Sequence, residues 1–77
     1  MHAVWLTAYP SSDKHTFERI VRKQQRKVSA DDISDLLDGI SGGQPTCIRS
    51  FAEEVSAENL VKEFQVHGGA AEVREGE

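Results

Sequence analysis

Hydrophobic side chains recur along this chain at two spacings, one typical of strands and one typical of helices. Residues 2–9 (HAVWLTAY) are rich in β-branched and aromatic side chains and predict a first strand. From about Lys14 to Arg26 a first helix is predicted, because Phe17, Ile20 and Val21 fall on one side of a helix. Three turn residues precede it, and any of them can cap its first turn: Ser11, Ser12 and Asp13.

A second helix is predicted to follow Ser29, whose hydroxyl is placed to cap its first turn. Its apolar positions recur at i, i+3, i+4 and i+7 and share one face: Ile33, Leu36, Leu37 and Ile40. The outer side carries four aspartates, here named the acidic face: Asp31, Asp32, Asp35 and Asp38. Three glycines and Pro45 then predict a loop, because these residues end helices and favour turns.

The rest of the chain predicts a strand, a helix and a final strand. Strands are predicted over residues 46–51 (TCIRSF) and 70–74 (AAEVR). The third helix lies between them, with Ser56 as its expected cap. Val55 before that cap and Leu60 after it are spaced to form a hydrophobic staple, in which the two side chains pack together.

The order strand, helix, helix, strand, helix, strand predicts the fold class. Helices with one apolar face bury it against a sheet, so we expect an α+β two-layer sandwich, a three-stranded sheet with helices on one face. With 77 residues, the chain predicts a single domain over residues 1–77, with its core within about 3–74. A domain of this size leaves little material for a deep active-site cleft.

Charge is divided unevenly along the sequence. The net charge is −4, yet residues 1–30 hold six basic and two acidic residues, and residues 31–77 hold three basic and eleven acidic residues. Five bases follow i, i+3, i+4, i+7 and i+8 and form what is here named the basic stripe: Arg19, Arg22, Lys23, Arg26 and Lys27. Such a face costs stability, because like charges repel. The only local relief is Glu18 and the helix C-terminus, which favours cations at Arg26 and Lys27.

Two interpretations of the basic stripe stay open. In the first, the acidic face folds back on the stripe and neutralises it. In the second, the stripe and Lys14 bind a partner with an acidic or mixed-charge protein surface, or a phosphate backbone. Nucleic acid is the weaker of these partners, because the whole chain is negative and no aromatic side chain interleaves with the arginines.

Trp5 and Tyr9 share one face of the predicted first strand and define an alternative partner site. If the helices cover the Val4 and Leu6 face, this aromatic pair is left on the open side of the sheet. If the register is opposite, Trp5 faces the helices and belongs to the core. The pattern alone favours neither register.

No catalytic or metal-binding constellation is found in the sequence. His2, His15 and His67 lack metal-ligand spacing, and no neighbour of Cys47 would activate its thiol. We therefore expect a protein that is not an enzyme and uses no cofactor or metal. The single cysteine, the lack of a signal-peptide pattern and the lack of a roughly 20-residue apolar run predict a cytoplasmic protein without a membrane segment.

Three local patterns occur in an order that a known family shares. The first helix carries basic and apolar residues at the family's spacing: Lys14, Arg19, Val21 and Arg22. The apolar spacing around residues 36–38 and the run from Ser56 through a Gly-Gly pair to the Ala-Glu-Val strand complete the likeness. Over most of residues 3–74, the chain resembles the C-terminal domain of the bacterial ribosomal stalk protein. The protease adaptor that recognises destabilising N-terminal residues has the same fold.

The resemblance implies the α+β fold and the docking of other proteins through the first helix, at Lys14, Arg19 and Arg22. The adaptor's peptide pocket needs an acidic pair after the first strand and a late histidine in the second helix. Residues 9–13 (YPSSD) and 38–41 (DGIS) do not supply them, so recognition of N-terminal residues is not implied.

Taken together, these patterns predict a non-enzymatic protein–protein interaction module that docks a larger protein through the basic face of its first helix. The alternative is a small phage or mobile-element inhibitor of a host protein machine, in which the acidic face mimics nucleic acid. A third possibility is a weak RNA or DNA binder.

Overall fold

The computed structural model describes residues 1–25 and 27–75, which form strands and helices in the predicted order. A short 3-10 helix, Ser11–Asp13, leads directly into the first α-helix. The elements are β1 (His2–Ala8), α1 (Lys14–Gln24), α2 (Ala30–Ser41), β2 (Thr46–Phe51), α3 (Glu54–Val66) and β3 (Ala70–Glu75). The predicted fold class, α+β, is confirmed.

The three strands form one antiparallel sheet in the order β2-β1-β3, so the first strand of the sequence is the central one. Val4 and Leu6 alternate along β1 and are fully buried beneath the helices. The register of β1 with β2 shifts between Val4, which pairs with Arg49, and Trp5, which pairs with Cys47. Ile48 is therefore the extra residue of a β-bulge in β2.

The core is made of apolar side chains from β1, β2 and all three helices. Each helix buries three of them, at the spacing expected for an amphipathic helix: Phe17, Ile20 and Val21 in α1, Ile33, Leu37 and Ile40 in α2, and Ala57, Leu60 and Phe64 in α3. The rings of Phe17 and Phe64 stack with centroids 5.9 Å apart. Gly69 is needed beside them, because a Cβ there would lie 2.5 Å from Cε2 of Phe17.

The predicted cap of α2 is confirmed, and those of the other two helices are wrong. The Ser29 hydroxyl accepts a hydrogen bond of 3.2 Å from the backbone N–H of Asp32. Before α1, the 3-10 helix takes the place of a side-chain cap, since Asp13 at the N-cap position makes no capping bond. Helix α1 also ends at Gln24, two residues before the predicted end, and Arg26 lies outside the described residues.

Helix α3 begins at Glu54, so Ser56 lies inside its first turn and cannot cap it. The predicted staple of Val55 with Leu60 is also wrong, because the Val55 residue is 65% exposed. At about 100° per residue, Val55 points away from Ala57, which lies on the buried side of the helix. The start of α3 therefore follows the burial of its apolar side chains and not the capping signal at Ser56.

Candidate functional site

The basic stripe lies on the side of α1 that faces away from the core. Phe17, Ile20 and Val21 fix the helix from below, which leaves Arg19, Arg22 and Lys23 exposed on its outer side. Lys27 is exposed in the turn that follows α1. Within residues 1–25 and 27–75, these four cations form no ion pair, and Arg26 lies outside the described residues. The described members of the stripe thus form a row of exposed cations without an ion pair.

Lys14, at the start of α1, has a different environment from the basic stripe. Its Nζ donates to Oδ1 of Asp38 at 2.7 Å and to Oγ of Ser34 at 2.9 Å, both in α2. The hydrogen bond to the Asp38 carboxylate, together with its negative charge, raises the pKa of Lys14 above its ordinary value of 10.5. Lys14 therefore ties α1 to α2, and its charge is already partnered.

The acidic face is exposed to solvent on α2 and does not cover the basic stripe. Asp31, Asp32 and Asp35 are exposed and make no ion pair with the described part of the chain. Among the described residues, Asp38 makes the single ionic contact from this face to α1, through Lys14. The proposed neutralisation of the stripe by the acidic face is therefore absent among residues 1–25 and 27–75. Both helices turn their apolar sides to the sheet, so both sets of charge point outward.

Trp5 and Tyr9 do not form one site, which corrects the prediction of a shared aromatic face. Tyr9 lies beyond the end of β1, and its ring packs against that of Phe17 with the centroids 5.3 Å apart. Its hydroxyl donates to the Leu37 carbonyl at 3.0 Å. Trp5 lies between buried Val4 and Leu6 and so points to the other face of the sheet. The register of β1 with β3 shifts between Leu6 and Ala8, which breaks the strand alternation before Tyr9.

On the open face of the sheet, Trp5 is half-buried and already has a partner. The guanidinium of Arg74 in β3 lies 4.5 Å from the Trp5 ring centroid and also donates to Oε1 of Glu72 at 3.1 Å. Cys47, the register partner of Trp5 in β2, is half-buried beside it. An arginine that covers the aromatic ring leaves less of it free for a protein partner.

The described surface has an open cleft of about 610 Å³ at the C-terminal end of α1, here named the Arg49 cleft. Its lining combines three cations, two amides and one apolar side chain: Lys23, Gln24, Gln25, Lys27, Val28 and Arg49. Nη1 of Arg49 donates to Oε1 of Gln24 at 3.0 Å, and its guanidinium lies 4.9 Å from the Phe51 ring centroid. Nε2 of Gln25 donates to the Ile48 carbonyl at 2.6 Å.

Arg49 was missed in the sequence prediction of the site. Strict alternation in residues 46–51 puts Ile48 in the core and Arg49 on the opposite face. The bulge at Ile48 lets Arg49 pair with Val4, whose side chain faces the helices, so Arg49 reaches Gln24 of α1. No glycine marks the bulge in the sequence, so no local signal could have identified Arg49.

The titratable side chains that the sequence singled out are scattered in the fold. Nδ1 of His2 contacts Oε1 of Glu75 at 2.8 Å, and both His15 and His67 are exposed on the surface. Among residues 1–25 and 27–75, no group of three or more histidine, cysteine, aspartate or glutamate side chains could hold a metal ion. None of the helices in these ranges is long and apolar enough to cross a membrane.

Comparison with protein-family models gave no match to this chain, and comparison with curated proteins gave none either. The basis for a functional proposal is therefore the surface of the chain itself: the outward cations of α1 and the cleft at its end.

Proposed function

We propose that this protein is a non-enzymatic interaction module that binds an acidic surface of a larger protein through the basic stripe. The observation that supports this most directly is that Arg19, Arg22, Lys23 and Lys27 are exposed and have no ion pair in the described chain. A row of like charge costs stability in the free protein. A partner that neutralises the row removes that cost.

The stripe is also presented on a rigid support. Three buried side chains hold α1 on the sheet, and Lys14 ties its first turn to α2 through Asp38. A preorganised helix loses little conformational entropy on binding, which favours affinity. Charge then steers the encounter, and its rate should fall as salt rises. The resemblance to the stalk-protein domain, which docks proteins through its first helix, supports the same surface.

The test is photo-crosslinking followed by a charge reversal. A photo-reactive residue at position 22 captures partners from the lysate of the native host, and the same residue at Val66, which is 80% exposed on α3, is the control. A partner captured only from position 22 is then purified and titrated against two folded variants. Arg22→Glu should weaken its binding about tenfold or more, and Lys62→Glu, an equal charge change on α3, should not. Equal weakening by both variants would reject the stripe as the interface.

The second candidate function is inhibition of a nucleic-acid-binding machine through the acidic face. It is favoured by the exposure of Asp31, Asp32 and Asp35 within the first two turns of α2. Such a row of carboxylates can imitate the phosphates of a nucleic acid. In this case a photo-reactive residue at position 35 would capture a basic partner. That partner should no longer bind the variant Asp31→Asn/Asp35→Asn, and it should still bind Arg22→Glu. A fluorescent oligonucleotide titrated at low salt tests the third candidate, direct nucleic-acid binding, in the same preparation.

A further inference from the structure

We propose that the Arg49 cleft is a binding site for an acidic peptide segment, with Arg49 as the residue that pairs with one of its carboxylates. The inference rests on the proposed function and extends the contact region from the basic stripe to Arg49 of β2, for the same kind of partner. Its occupant is a short stretch of glutamate or aspartate side chains on the partner protein.

The position of Arg49 is fixed by contacts from two elements. The bulge in β2 directs its side chain toward α1, where Nη1 donates to Oε1 of Gln24 at 3.0 Å. On the other side, its guanidinium lies 4.9 Å from the Phe51 ring centroid. An arginine has five N–H donors, and Gln24 accepts only one of them. The remaining N–H groups can donate two hydrogen bonds to a carboxylate, in the bidentate geometry that guanidinium groups favour.

The lining of the cleft carries positive charge from three parts of the fold. Lys23 comes from α1, Lys27 from the turn after it and Arg49 from β2. None of the described residues that line the cleft is acidic. Three cations around one opening attract a ligand with more than one negative charge. A volume of about 610 Å³ is large enough for several side chains of a peptide.

The other lining residues favour a peptide over a nucleic acid. The amides of Gln24 and Gln25 offer groups that match a peptide backbone, and Val28 supplies an apolar surface. The Phe51 ring has the Arg49 guanidinium over its face and also packs against the core, so it is not free to stack with a nucleotide base. The net charge of −4 further disfavours a polyanion as long as a nucleic acid.

The cleft should recognise side chains and not an added β-strand. β2 is an edge strand, and edge strands can pair with an extended peptide. The Ile48 carbonyl, however, already accepts a hydrogen bond of 2.6 Å from Nε2 of Gln25. This bond covers part of the edge, so charge and not backbone pairing provides the selectivity.

The experiment titrates a blocked hexaglutamate peptide into isotope-labelled protein and follows the NMR signals of the Gln24 and Gln25 side-chain amides and of Arg49 Nε–H. We expect these signals to shift together. Arg49→Gln should weaken binding about tenfold, and Arg49→Lys should weaken it less. Arg74→Gln is the matched control, because Arg74 also lies over an aromatic ring, Trp5, but on the opposite face of the sheet. It should leave binding unchanged.

Three results would overturn the proposal. In the first, the shifts appear at Arg19 and Arg22 only and Arg49→Gln binds as well as wild type, which rejects the cleft and leaves the proposed function standing. In the second, inorganic phosphate or a thymidine oligonucleotide of equal charge binds the cleft more tightly than hexaglutamate, which rejects the peptide as occupant. In the third, no probe shifts the cleft signals. If the purified partner loses affinity with Arg22→Glu in that case, the proposed function survives without the cleft.

Discussion

Helices α1 and α2 are built on the same plan but carry opposite charge. Each buries three apolar side chains against the sheet and exposes a charged outer side. From the sequence alone, their opposite charge is compatible with the interpretation that the two charged sides face each other. Among the described residues they meet only where Lys14 contacts Asp38. The other described cations of α1 and the other aspartates of α2 remain exposed: Arg19, Arg22 and Lys23 on one helix, and Asp31, Asp32 and Asp35 on the other.

The difference between the two helices shows that opposite charge does not by itself bring two faces together. Burial of the apolar stripes sets the rotation of each helix, and each fully buried large side chain contributes about 1.5–3 kcal/mol. An exposed ion pair contributes about 0–1 kcal/mol, and so cannot rotate a helix out of its apolar contacts. The direction of the charged side chains therefore follows from the burial of the apolar ones, and on both helices it is outward.

The largest expected effect comes from removing the apolar anchor of each helix. Phe17→Ala should lower the free energy of unfolding by about 3–5 kcal/mol, and Leu37→Ala by about 2–5 kcal/mol. Phe17 should cost more because its ring also contacts Tyr9 and Phe64. Urea unfolding followed by circular dichroism measures both changes.

A domain of this size can fail to fold after such a loss, so milder variants accompany the alanines. Phe17→Leu should cost about 1 kcal/mol and keep the fold. Val66→Ala, at a residue that is 80% exposed, is the control and should change stability by less than about 0.5 kcal/mol. If removal of the basic stripe charges destabilised the protein more than Phe17→Leu, the view that the core sets the helix rotation would be wrong.

An effect of intermediate size on stability should distinguish the N-terminus of α2 from that of α1. Ser29→Ala should cost about 1 kcal/mol, because the Ser29 hydroxyl accepts the N–H of Asp32. Asp13→Ala should cost less than about 0.5 kcal/mol, because the Asp13 side chain makes no capping bond at α1. Thermal unfolding of the two variants side by side gives the comparison. Equal losses would mean that α1 has a cap equivalent to that of α2.

The smallest effect concerns the ion pair of Lys14 with Asp38, the single ionic contact between α1 and α2 in the described part of the chain. The pKa of Lys14 is raised above 10.5 by its hydrogen bond to Asp38, so the folded state holds this proton more tightly than the unfolded state. The stability that the pair contributes is fully present below the unfolded pKa and is lost as pH rises through the folded one. The gap in stability between wild type and Lys14→Met should stay constant up to pH about 10 and shrink above it.

Lys62→Met, on the exposed surface of α3, is the control for the general loss of lysine charge at high pH. Its difference from wild type should not shrink in the same way. A gap for Lys14→Met that is unchanged well above 10.5 would show that the pair with Asp38 contributes nothing.

The sequence predicted what depends on local spacing. Phe17, Ile20 and Val21 are buried as their helical period indicates, and the order of strands and helices matches the turn residues between them. The cap at Ser29 was predicted because a hydroxyl and a backbone N–H three residues later are close in any helix start.

Features that depend on pairing between distant segments could not be predicted in this way. The shift of register after Leu6 separates Tyr9 from Trp5, and the bulge at Ile48 moves Arg49 to the helix side. Both arise where strands far apart in the sequence meet, and neither leaves a pattern within a single strand. The resemblance to the stalk-protein domain supplied the first helix as a docking surface and remains a prediction.

The central position of β1 has a consequence for how the chain folds as it is made. β1 leaves the ribosome before β2 and β3, and one of its two edges can be paired only after β3, more than 60 residues later, has emerged. Until then Val4 and Leu6 belong to an unfinished sheet, and contacts between such distant segments form slowly. The sheet should therefore be completed only after β3 has emerged, and a chain cut after Gly69 should expose an unpaired edge of β1 and aggregate.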